Sequence, residues 1–277
     1  MMTVTFPDGI DLAKIAASGQ CFRCGEVEPG LYRFITGRSV ICCRQSGTNA
    51  VRVDCTPTEW DAIWGRYFDV GRNYRAVLDA IDPGDRFMNA AGRCGEGIRI
   101  LRQDPWEMLV TFIVSQRKSI PAIRRAVEAL AALCGKAVDT PLGVLYAFPT
   151  AQALAARSAQ ELQGCGLGYR VPYVQDAARR VAAGELDLQA LERLPDEELF
   201  SALKTVRGVG DKVADCVMLF GYGRVDRAPV DVWIRRVIAE RYAGVSPFAG
   251  VERGAGILQQ YLFYYAQTHK EEFGRSG

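Results

Sequence analysis

The sequence predicts an α+β protein in which a β-rich N-terminal lobe, an antiparallel sheet with flanking helices over residues 1–90, packs on a mainly α-helical body over 91–277. Three observations carry that prediction. Short runs rich in β-formers fill the first 55 residues, apolar side chains recur at helical spacing from there on, and no long Pro/Gly/Ser linker or internal repeat separates the two parts.

In chain order, Leu31 to Thr36, Ser39 to Arg44 and Ala50 to Cys55 read as strands of a meander, with turns at Gly37 and Gly47. The period then changes: Trp60, Ile63, Trp64, Tyr67 and Phe68 follow helical spacing behind Thr58, a residue able to cap. Further helices are expected over Pro105 to Gln116, Pro121 to Leu133, Ala151 to Arg157, Arg170 to Ala183, Asp196 to Val206, Lys212 to Gly221, Val232 to Arg241 and Gly256 to Thr268.

Composition narrows the function classes. With 277 residues, 49% of them hydrophobic and 24% charged, the chain is neither disordered, collagen-like nor coiled coil. Its apolar runs, such as Leu109 to Val114, fall far short of the roughly 20 residues of a membrane span, and Asp8 and Asp11 interrupt any leader-like stretch. No membrane association is expected, and the location is expected to be cytoplasmic, at the nucleoid in a bacterial cell. Nine cysteines without a targeting signal read as free thiols; Cys21 and Cys24 form a lone CxxC with no matching ligand pair, and no four cysteines cluster for an iron–sulfur site. Net charge is only +2, but residues 93–125 carry seven basic against three acidic side chains and residues 201–241 carry eight against five. Two such segments can line one groove for a polyanion, or be solvated helix faces.

The run from Leu203 to Phe220 is the most informative. It reads as a helix, a tight turn at Gly208, Val209 and Gly210, and a second helix. The two glycines allow positive φ and leave backbone N–H groups open beside a helix N-terminus, where a phosphate can sit. This is the helix-hairpin-helix pattern, which binds nucleic-acid backbone without reading sequence; an ordinary glycine-containing turn between packed helices is the competing reading. Lys212 lies in the first turn of the second helix, where the macrodipole disfavours a cation and favours a neutral, nucleophilic amine; a solvated phosphate contact is the competing role. Asp215 and Cys216 follow at i+3 and i+4 on its face. Nineteen residues after Lys212, Asp231 precedes a helix with an apolar face of Val230, Ile234, Val237 and Ile238. It suits an N-cap and, compatibly, a carboxylate that stabilises positive charge on a sugar as its base departs.

On these residues the chain resembles the helix-hairpin-helix DNA glycosylases, and within them the 8-oxoguanine DNA glycosylase/AP lyases, over nearly its whole length. Gly208 to Cys216 and Pro229-Val-Asp-Val232 match the active-site segments, which implies Lys212 as the Schiff-base nucleophile and Asp231 as the catalytic carboxylate. Ser18 to Arg23 matches an N-terminal loop in which the carbonyl of Gly19 accepts the N7–H that 8-oxoguanine has and guanine lacks. Leu101 to Pro105 matches a stretch ahead of a DNA-facing helix. Gly166 to Arg170 matches a duplex-entering loop, which makes Tyr169 a wedge and Arg170 a contact to the orphaned cytosine. Ala255 to Phe263 is similar to the segment whose glutamine holds the lesion's Watson–Crick edge and whose phenylalanine stacks on it, here Gln259 and Phe263; helix-core packing is the competing role of both. The resemblance also carries Cys216 into the base site and Trp233 into a phosphate-contacting position held by histidine in the family.

Departures from the family pattern bear on specificity. Gln116-Arg-Lys-Ser119 replaces an asparagine triplet, leaving Arg117 to fill the vacated stack, and Ala122 replaces a cytosine-reading arginine. Weaker opposite-base discrimination is expected. The activity implied is base-excision repair: flipping 8-oxoguanine out of duplex DNA, removing it through a lysine Schiff base, and cutting the strand by β-elimination, with no metal or organic cofactor and at most a structural monovalent or divalent cation at the hairpin carbonyls. A monomer is expected on duplex DNA containing an oxidised purine. Two rivals stand beside it: a monofunctional alkylated-base glycosylase, which activates water without a lysine, and a non-catalytic damaged-DNA-binding protein that uses the hairpin for backbone affinity alone.

Overall fold

A computed structural model describes residues 1–273. The N-terminal lobe is a five-stranded antiparallel sheet in the order β1-β5-β4-β3-β2, built from β1 (Met2–Thr5), β2 (Cys24–Glu28), β3 (Leu31–Thr36), β4 (Ser39–Gln45) and β5 (Ala50–Val53). Three of these strands fall where the alternation of β-formers placed them, and Gly37 and Gly47 turn the chain at φ +55° and +94°. The two outer strands were not expected. β1 pairs Val4 with Val51, and β2 pairs Cys24 with Phe34 before a bulge after Glu26; both are too short or too acidic to announce themselves. Between β1 and β2 lies a short helix, α1 (Leu12–Ala17), capped by Asp11.

Helix α2 (Pro57–Glu59), a π-helical turn (Trp60–Trp64) and α3 (Gly65–Tyr67) lay the expected aromatic stripe across the sheet. Phe34 meets Phe68 edge-on at 5.1 Å, and Trp60 stacks on Phe68 at 6.0 Å. The cap, however, is Thr56, whose hydroxyl accepts from Glu59 N at 3.2 Å, and Thr58 lies inside the helix. Pro57 decides this, since a proline needs no donor at the first helical position.

The chain continues with α4 (Tyr74–Asp79), α5 (Arg86–Gly95), α6 (Pro105–Ser115), α7 (Ile120–Cys134), the hairpin β6 (Ala137–Thr140) and β7 (Gly143–Tyr146), then α8 (Ala151–Ala155), α9 (Ala159–Gly164), α10 (Val171–Ala182), α11 (Leu188–Leu191), α12 (Asp196–Lys204), α13 (Asp211–Phe220), α14 (Val232–Arg241) and α15 (Ala255–Thr268). The long expected helices are all present, with ends shifted by a few residues. Every residue of α6 from Glu107 to Ser115 is buried, and α13 packs against it with Phe112 stacked on Phe220 at 5.5 Å. Sheet and helices share one core, from Phe34 and Phe68 to Leu109 and Val217. Arg99, 1% exposed, staples the two parts: it donates to the carbonyls of Phe68 (3.0 Å) and Asp69 (2.7 Å) and lies over the Tyr74 ring at 4.2 Å. No helix among the described residues is long and apolar enough to cross a membrane.

Candidate active site

Lys212 and Asp231, expected to act together, open onto one cavity of about 940 Å³, whose wall also includes Gly19, Phe112, Ser115, Arg117, Cys216, Trp233, Gln259 and Phe263. Chain topology brings them there. Helix α13 starts directly after the hairpin turn, with Gly210 as a cap that has no side chain, so its first N–H groups keep no side-chain partner and Lys212 projects from the first turn. Its Nζ lies 3.4 Å from Ser115 Oγ and 5.0 Å from the centre of the Phe112 ring, both on the buried helix α6. Neither neighbour was foreseen, because nothing local in the sequence ties residues 112 and 115 to residue 212.

Asp231 is the N-cap of α14, accepting from Ile234 N at 2.8 Å. Burial pushes its carboxyl above the usual range, while that hydrogen bond and the Lys212 charge pull against the rise. Cys216 is 3% exposed, and burial pushes its thiol up to about 11, so it is a neutral wall of the cavity. Asp215 is absent from the cavity wall, and Arg227 holds it at 2.9 Å. At the opposite wall Gln259 is 5% exposed, with Oε1 buried and unpaired within the protein. Gly19 adopts φ +73°, and a Cβ there would sit 3.1 Å from both Ile120 Cδ1 and Phe263 Cε1, so only glycine leaves the gap open.

Models of two families match the chain one after the other over residues 3–248: the 8-oxoguanine DNA glycosylase N-terminal domain over residues 3–109 and the HhH-GPD superfamily of base excision DNA repair proteins over 110–248. The chain belongs to the HhH-GPD superfamily. Among solved structures, that of Clostridium acetobutylicum 8-oxoguanine glycosylase/lyase in complex with duplex DNA containing cytosine opposite 8-oxoguanine is 32% identical, with a TM-score of 0.89 over 98% of this chain and 99% of that one. A probable N-glycosylase/DNA lyase of Methanothermobacter thermautotrophicus is 31% identical over 62% of this chain and 64% of its own length. The N-glycosylase/DNA lyase of Saccharomyces cerevisiae is 35% identical over 64% and 50%. The chain thus spans 64% and 50% of the lengths of these two curated relatives.

In this HhH-GPD body the loops expected to face DNA are joined. Tyr169 is 51% exposed, meets Tyr173 edge-on at 6.2 Å and carries the Arg170 guanidinium 4.3 Å from its ring centre. Arg170 is turned inward. It is 5% exposed, and its guanidinium donates to the carbonyls of Gln116 and of Leu167 (3.1 Å), so in this conformation it ties loops together and does not reach outward. Val209 is turned inward too: its side chain is 7% exposed and its N–H donates to Val206 O at 3.0 Å, which leaves it in the core. Of the two hairpin glycines only Gly208 takes positive φ (+83°); Gly210 is extended at φ −100°. Arg117 stands exposed at φ +51° at the cavity mouth. Gln116 beside it donates to Gly208 O at 3.1 Å, and Lys118 Nζ to Gly166 O at 2.7 Å, contacts that the sequence pattern did not suggest. Trp233 faces the cavity with Arg236 and Lys270 about its ring at 5.6 and 5.8 Å.

Proposed function

We propose that the chain is a bifunctional glycosylase/AP lyase that removes 8-oxoguanine from duplex DNA as a monomer. The observation that carries this reading is the meeting of Lys212 and Asp231 on one cavity that Gly19 and Gln259 also line, the glutamine with its Oε1 buried and unpaired. A base in the stack cannot be reached, so the nucleotide must be extruded at a cost of a few kcal/mol. Tyr169 and Arg117 are assigned to fill the gap. Gly19 O is assigned the lesion's N7–H, Gln259 its Watson–Crick edge and Phe263 its face. Lys212 as the neutral amine attacks C1′ while the N-glycosidic bond breaks and the base leaves with the electron pair; Asp231, ionised, stabilises the positive charge on the sugar. The sugar ring opens to an imine between Lys212 and C1′. Loss of a C2′ proton then expels the 3′ phosphate, and water hydrolyses the imine to restore the amine.

Nucleophile and charge stabiliser both come from side chains, so no cofactor enters these steps. The hairpin offers carbonyls, among them Val206 O and Gly208 O, each with one protein donor and a second lone pair free. That donor set fits a structural cation held between backbone and phosphate. Lys212 and the lining residues weigh against a water-activating glycosylase and against a binding module. Borohydride trapping on a duplex with 8-oxoguanine opposite cytosine separates the three. A covalent adduct in the wild type that disappears in Lys212→Gln is expected. Free base without an adduct would mean water activation, and neither product from folded protein would mean binding alone.

A further inference from the structure

Two walls that read one base come from segments 242 residues apart, the loop around Gly19 and helix α15. A carbonyl can separate two purines by one N–H only if its place relative to the rest of the base site is held to within about half an ångström, because hydrogen-bond strength falls steeply with distance and angle. The loop has such an anchor on each side of Gly19. On the far side, Gln20 Nε2 donates to Ser18 Oγ (2.9 Å) and Arg99 O (3.0 Å), Leu101 N donates to Gln20 Oε1 (2.8 Å), and Gln103 Nε2 donates to Gln20 O (2.8 Å). On the near side, Gln260 Nε2 donates to Ser18 O at 2.6 Å. Among the described residues nothing donates to the carbonyl of Gly19 itself, which is left for a ligand.

Gln260 is 2% exposed and sits between Gln259 and Tyr261 on α15. A buried amide is costly unless bonded, and an apolar side chain of the same size would fill the space as well. The amide therefore encodes a position. We propose that Gln260 is a specificity-determining positioning residue. By pinning the Ser18 carbonyl to the helix that carries Gln259 and Phe263, it sets the width of the gap across which an oxidised purine is told from guanine. This rests on the reading of the chain as an 8-oxoguanine glycosylase.

The test compares single-turnover base release from an 8-oxoguanine duplex with strand cleavage at a preformed abasic site, which has no base to read. It uses the full chain as wild type, Gln260→Met, which keeps the packing, and Gln260→Glu, which keeps the shape but sets a carboxylate against the Ser18 carbonyl. The ratio of the two rates is expected to fall about ten-fold in Gln260→Met and further in Gln260→Glu, with guanine release relative to 8-oxoguanine rising in both. A proportional loss on both duplexes, whether from unfolding or otherwise, or an unchanged ratio, overturns the proposal. Wild type that cleaves the abasic duplex but releases no 8-oxoguanine overturns instead the reading beneath it, and this assignment with it.

Discussion

Asp231 has two duties that favour the same charge state. As an N-cap it accepts from Ile234 N, and in the proposed mechanism it must be ionised when positive charge builds on the sugar. Burial opposes ionisation and raises its pKa, so the acid limb of kcat should lie above the range of an exposed aspartate and the rate should climb as pH rises through it. Asp231→Asn keeps the cap, since asparagine caps as well as aspartate does. A pH–rate profile should therefore show the limb gone and kcat lower by about 10²–10³-fold, with the melting temperature held; a variant that keeps the limb would assign it to another group. Lys212 and Asp231 were legible because each stands in a local pattern, a glycine turn ahead of one and an apolar helix face behind the other. Ser115, Gln116 and Gln260 were not, because their partners lie 97, 92 and 242 residues away and a polar residue in a helix says nothing of what it will meet.

At the scale of elements, the hairpin shows that two glycines in one motif are not equivalent. Gly208 has φ +83°, and a Cβ there would come 2.6 Å from the Tyr173 ring, so both strain and collision oppose any side chain. At Gly210 the backbone is extended and nothing lies within 4 Å of the place a Cβ would take. Gly208→Ala should cost on the order of 1–3 kcal/mol and weaken DNA binding through the displaced turn, read by melting and by duplex titration. Gly210→Ala should change stability by less than about 1 kcal/mol; equal effects would refute the assignment. Other elements were hidden from sequence for physical reasons. Strand β2 is Cys-Gly-Glu-Val-Glu on the sheet edge, with its acidic side chains turned outward and little apolar alternation to see. The hairpin β6–β7 leaves Leu142, Val144 and Tyr146 more than 40% exposed, so its strands lack the half-buried pattern that marks a sheet. The aromatic stripe from Trp60 to Phe68 was legible because its burial is one-sided.

Across the whole molecule the two lobes are joined by polar groups sunk in a common core, and this gives the fold a pH dependence separate from that of the reaction. Glu107, in the first turn of α6, is 4% exposed; burial pushes its carboxyl up to about 8, while the Arg23 charge nearby pulls it down. Arg23 is itself 1% exposed and ties Glu128 of α7 at 3.3 Å and the Tyr146 carbonyl of β7 to the sheet lobe. An unfolded glutamate titrates near 4.5. Between that pH and about 8 the native state therefore keeps a proton that the unfolded chain has released, so unfolding free energy falls as pH rises through this window and levels off above it. At about 1.4 kcal/mol per pKa unit the total effect is a few kcal/mol, large against the stability of a domain. Glu107→Gln removes the titrating group and keeps its shape. Denaturant unfolding at about pH 5 and about pH 9 should find the variant gaining on the wild type as pH rises, and parallel curves for the two proteins would show that Glu107 ionises in the core without cost.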